Sequence, residues 1–178
     1  LLNEAAEDVV FALGPQSRWR AVKDRLFGKS GSGLEEQGTL AVGDARLPAN
    51  LRTLLQSAIK AKTLSKEDIF ASLTAIRRQT AMNEYGAPEQ ATLRSMRVLL
   101  RGTLLEAELI FSVAPVDDDW ALLIGAALAL RAAGTGRNRG RGHVRVTLRQ
   151  SGQDETQNAD WLRAQLARLC EEEHDARA

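Results

Sequence analysis

One cysteine, Cys170, and two histidines, His143 and His174, are the only thiol and imidazole groups in this sequence of 178 residues. A single thiol rules out an internal disulfide, and two histidines this far apart match no usual metal-ligand spacing. Neither a metal nor a cofactor is expected, and the cysteine usage suits a reducing compartment. Aromatic residues are scarce, with three Trp, four Phe and one Tyr. Readout of a nucleic acid by base stacking is therefore not expected to dominate. No apolar run approaches the roughly 20 residues of a membrane span, and the opening stretch from Leu1 to Asp8 is acidic rather than signal-like. An untargeted cytoplasmic chain with no membrane partner is the expectation.

Charge of one sign is also missing overall, since the formal net charge is only +1. The mean conceals a local excess. Between Arg131 and Arg149 stand Arg131, Arg137, Arg139, Arg141, Arg145 and Arg149, with no acid among them. The same stretch holds Gly134, Gly136, Gly140 and Gly142. Glycines let backbone N–H groups approach a ligand closely, and arginine forks fit phosphate oxygens, so the combination suits a polyanion. A mononucleotide loop is excluded by order and spacing: the glycines run G-x-G-x-x-x-G, and they follow a helix instead of opening one. Gly28-Lys29-Ser30 fails as a phosphate loop because Lys23 stands where that motif needs glycine.

Hydrophobic periodicity predicts the elements. Leu2, Ala5, Val9, Val10 and Leu13 mark a helix that Gly14-Pro15 interrupts, and a second helix spans 17–27. A Gly- and Ser-rich loop over 28–33 leads to a short strand at 39–42. Pro48 opens a helix over 50–61, and Ser65 caps another. Two extended arms, 73–82 and 93–100, flank a polar tip and suggest a projecting hairpin carrying Arg77, Arg78, Arg94, Arg97 and Arg101. Leu104, Leu105, Leu109, Ile110 and Phe111 predict a central strand over 103–112, buried on both faces. Asp117 to Asp119 lead into an Ala- and Leu-rich helix over 120–133. Val144, Val146 and Leu148 alternate with His143, Arg145, Thr147 and Arg149, predicting a half-buried strand with a cationic face. A polar linker over 151–158 precedes an amphipathic helix striped by Trp161, Leu162, Leu166 and Leu169.

This order predicts an α+β fold: the α-β-β-α-β remainder of a ferredoxin-like (RRM-like) β-α-β-β-α-β unit, plus a helical and hairpin insertion. The first strand of that unit has no counterpart. It would lie mid-sheet, so the expectation is that the sequence is an excerpt or that another segment supplies the strand. The domain is placed at 1–150 with an insertion, or thumb, over about 47–102, followed by a C-terminal linker and helix over 151–178.

On these residues the chain resembles the CRISPR-associated RAMP superfamily, whose members share a glycine-rich loop between the last helix and last strand of a ferredoxin-like domain. Gly134 to Gly142 fits that loop in place and content. Leu26-Phe27-Gly28, a Gly-rich spacer and then Leu40 to Ala45 are similar to the family's L-F-G then strand-D-A pattern. Thr80 to Leu93 corresponds to the segment before the outward hairpin of its backbone subunits. The resemblance covers about residues 20–149. It implies a guide-RNA (crRNA) binding structural subunit of a type III antiviral effector complex in the prokaryotic cytoplasm, a ribonucleoprotein whose partners are guide RNA, the target RNA paired to it and other subunits. Gly134, Gly136, Arg137, Arg139, Gly140 and Arg141 inherit the guide-contacting role. His143, Arg145, Arg77 and Arg78 join them as RNA-binding residues on charge and position.

Two alternatives stay open. An endoribonuclease of the same superfamily, cleaving target or processing guide, needs a general acid or base near the RNA. His143 is the one tempting catalytic side chain, without a second histidine or visible carboxylate partner. Asp44 does not match the family's catalytic aspartate, which follows the first strand. The other alternative is a protein-interaction subunit that uses helices 120–133 and 160–170 and touches no RNA.

Overall fold

A computed structural model describes residues 1–14, 17–29, 37–80, 84–85, 94–137 and 140–175, with backbone alone for 171–175. It is a mixed α+β structure whose strands form two separate two-stranded sheets among these residues. The chain divides into two compact units, Leu1–Ala41 with Leu109–Ala178, and Val42–Glu108.

The first unit is built around α5, Asp117–Ala129. Ala121, Leu122, Leu123, Ile124, Ala126 and Ala127 are all buried, so the helix is apolar around its whole circumference and is enclosed rather than docked by one face. Its neighbours are α1 (Leu2–Leu13), α2 (Trp19–Phe27) and α6 (Glu155–Asp175). Val10, Trp19, Val22, Leu26, Leu122 and Leu169 make the main cluster, each large aliphatic contributing about 1.5 to 3 kcal/mol. Gly125 is the point of closest approach: a Cβ there would stand 2.7 Å from a methyl of Leu169 and 3.6 Å from Val9.

At the start of α5, Asp119 is buried although charged. Its Oδ1 accepts from Arg25 Nη2 at 2.6 Å and Nε at 3.0 Å, and its Oδ2 accepts the Val116 N–H at 3.0 Å. One carboxylate thus ties α2 to α5 and satisfies a backbone donor at the helix start. Arg168 of α6 reaches Asp117 at 2.8 Å and Asp118 at 3.4 Å. Opposite charge at the positive end of α5 holds three helices together there.

Strands β1 (Leu40–Val42) and β4 (Leu109–Phe111) pair, and Leu40 and Phe111 pack on the helical core. Phe111, Trp120 and Trp161 meet edge to face at centroid separations of 5.1 and 5.3 Å. Two expectations about this region are corrected. The predicted buried strand over 103–112 shrinks to β4, with Leu104 65% and Ile110 57% exposed. The predicted strand over 143–149 does not form: His143 makes one isolated bridge to Ala132, and the following residues pair with no strand. Both failures have one cause, since a strand exists only where a neighbour accepts its backbone bonds. Beyond the bridge, buried Asn158 takes that part, donating to the Leu148 carbonyl at 3.1 Å and accepting the Gln150 N–H at 3.2 Å.

Helix ends shift too. α5 stops at Ala129 instead of 133, because 131–133 turn to pair with 142–144. The expected linker over 151–158 gives way to helix from Glu155, where Asp154 Oδ1 accepts the Gln157 N–H at 2.8 Å as an N-cap.

The second unit holds α3 (Ala49–Lys60), α4 (Lys66–Leu73) and an antiparallel hairpin of β2 (Thr74–Gln79) with β3 (Arg94–Leu99). Ser65 caps α4 as expected, with Ser65 Oγ accepting the Asp68 N–H and Asp68 returning to the Ser65 N–H. The expected hairpin arms are present, while its tip lies mostly outside the described residues, as does most of the 28–33 loop. Neither helix of this unit buries a residue.

Candidate nucleic-acid interface

The glycine and arginine segment leaves α5 and turns back on itself. Ala133 N–H donates to the Gly142 carbonyl at 2.8 Å, and Val144 N–H donates to the Arg131 carbonyl at 2.9 Å. These bonds close the base of a loop over 134–141. Gly142 makes the closure possible: its φ is +70°, and a Cβ there would stand 1.9 Å from the Ala133 carbonyl oxygen. No other residue type fits. Sequence reasoning left Gly142 out of the contact set, although its place at the end of the R-G-R-G-H run was the available signal.

Around this base stand Arg131, Arg141, His143, Arg145 and Arg149, all exposed. The Arg141 stem lies against Gly136, where a Cβ would come within 3.4 Å of it. Gly134 and Gly140 take positive φ in open space. Arg139 lies outside the described residues. Arg149 is 4.0 Å from Glu155, with both side chains in solvent, a weak pair.

Arg137 differs from the others. Its Nη1 and Nη2 each lie 3.1 Å from a different carboxylate oxygen of Glu4 on α1. This two-pronged bond holds the Glu4 carboxyl below the usual carboxylate range. Glu4 was not anticipated as a member of the site, and no sequence signal links positions 133 apart.

His143 has no carboxylate bonded to it among the described residues, and its ring is exposed beside the bridge to Ala132. Among the described residues no three His, Cys, Asp or Glu side chains gather as a metal site.

Arg77 and Arg78 belong to the other unit. In the hairpin register, Arg77 shares a face with Arg94, and Arg78 shares the opposite face with Arg97. Arg97 is engaged locally, bonding Thr74 Oγ1 at 3.0 Å and lying 4.6 Å over the Phe70 ring. Arg77, Arg78 and Arg94 are exposed. No helix among the described residues is long and apolar enough to cross a membrane. Neither family models nor curated proteins give a match to this sequence, so the residues themselves carry the functional argument.

Proposed function

We propose that this chain binds RNA through its phosphates, as a guide-RNA subunit of a type III CRISPR effector complex in the prokaryotic cytoplasm, with the domain read as ferredoxin-like. The observation that carries the reading is the loop closed between 131–133 and 142–144, whose base presents Arg131, Arg141, His143 and Arg145 to solvent with Glu4, among the described residues, the one carboxylate bonded within it. Several exposed guanidinium forks on a backbone closed by hydrogen bonds suit a chain of phosphates better than a single anion. Scarce aromatics argue for contacts that ignore base identity. The exposed arginines on both faces of the β2–β3 hairpin add a second cationic element of the same character.

The role needs no catalytic group, and the lone exposed His143 gives a nuclease reading little support. The test is to measure binding of two unrelated single-stranded RNAs of equal length. Affinities within about threefold of each other, both lost at high salt, are expected of phosphate recognition. Strong preference for one sequence, or salt-insensitive binding, would overturn it.

A further inference from the structure

Helix α3 is amphipathic, and among the described residues none of its own is buried. Leu51, Leu54, Leu55, Ala58 and Ile59 form its apolar stripe, and none of them is buried. Leu54 is 67% exposed. Leu55 and Ile59 of the stripe, with Ile69, floor an open groove of about 220 Å³ between α3 and α4 whose rim is Arg52, Gln56 and Lys66.

The charged side chains that line this groove, Arg52 and Lys66, are both cationic. From Ala45 to Lys66 the chain carries Arg46, Arg52, Lys60, Lys62 and Lys66 and no acid. Arg52, Gln56 and Lys60 succeed one another at four-residue steps along α3, beside the apolar stripe. The nearest acids are Glu67 and Asp68 in the first turn of α4, and Asp68 is held by the Ser65 cap.

We propose that the α3–α4 groove docks an amphipathic helix of a protein partner, one that sets aliphatic side chains on Leu55, Ile59 and Ile69 and acidic side chains against Arg52 and Lys66. An apolar floor between cationic rims is the complement of such a helix. RNA fits less well, because the aliphatic floor of Leu55, Ile59 and Ile69 offers a phosphate chain no hydrogen-bond donor. A lipid surface fits less well too: α3 has no Trp or Phe anchor, and Phe70 of α4 lies under Arg97. The inference does not depend on the RNA reading.

The experiment uses the full chain and two labelled synthetic 16-residue helices, identical in their leucine stripe and differing in whether glutamate or lysine flanks it. Saturable binding of the glutamate helix, about tenfold tighter than that of the lysine helix, is expected. Ile59→Glu should abolish it, and Arg52→Glu with Lys66→Glu should invert the preference while far-UV circular dichroism stays unchanged. Absence of saturable binding would overturn the proposal, as would an unchanged preference in the charge-reversed variant. So would displacement of the helix by RNA or anionic vesicles, or a concentration-dependent dimer of the chain alone that Ile59→Glu dissolves.

Discussion

Arg137 holds Glu4 with both terminal nitrogens, each 3.1 Å from its own carboxylate oxygen. The same fork would hold a phosphate, so on the proposed reading Glu4 competes with RNA for one of the loop's arginines. Glu4→Gln is expected to tighten RNA binding by about twofold to fivefold, the scale of an exposed pair. Arg137→Ala should cancel the gain when the two substitutions are combined. A titration of labelled RNA against the four proteins measures both.

Acid pH should weaken the helical unit through its depressed carboxylates. Glu4 is held below the usual range by Arg137, and Glu7 by Lys23 and Arg20. A carboxylate with a lowered folded value stabilises fully above its unfolded value, and that contribution is lost as pH falls through the folded one. The melting temperature is therefore expected to fall below the ordinary Glu range, and Glu4→Gln with Glu7→Gln should flatten that fall. Thermal melts across an acid pH series would show it.

The buried Asp119 joins Arg25 to the start of α5. Asp119→Ala should cost about 2 to 4 kcal/mol, combining a lost cap and an abandoned guanidinium. Arg25→Ala should cost less, about 1 to 2 kcal/mol, because its side chain is half exposed and the cap survives. Denaturant unfolding of the two variants ranks them, and equal costs would contradict this account of Asp119.

Gly134 and Gly142 separate two kinds of glycine. Both have positive φ, but only at Gly142 would a Cβ strike backbone. Gly134→Ala should cost about 1 to 2 kcal/mol. Gly142→Ala should cost more, at least about 3 kcal/mol, and open the loop base. RNA affinity should follow, falling about tenfold for Gly142→Ala alone.

The helices, the Ser65 cap and the paired arms of the hairpin were legible, because apolar spacing and capping residues act locally. The strand over 143–149 was misread for a physical reason. Alternation of Val144, Val146 and Leu148 states which face prefers burial, but it does not supply the neighbour whose backbone completes a strand. Asn158 supplies bonds there, from a position that looked like linker. The apolar run at Leu104 and Leu105 failed similarly, and both side chains are exposed. At the site, composition disclosed the arginines and glycines, whereas the Glu4 pairing and the closure at Gly142 depend on how α1 and the 131–133 segment meet the loop.

The central claim is that the glycine and arginine loop grips phosphate. The most direct measurement is the salt dependence of single-stranded RNA binding for the wild type and for the variant with Arg137, Arg139 and Arg141 all changed to alanine. Weaker binding with a log–log slope reduced by about 2 to 3 is the predicted result. An unchanged affinity and slope would contradict the claim and assign these arginines to a protein contact.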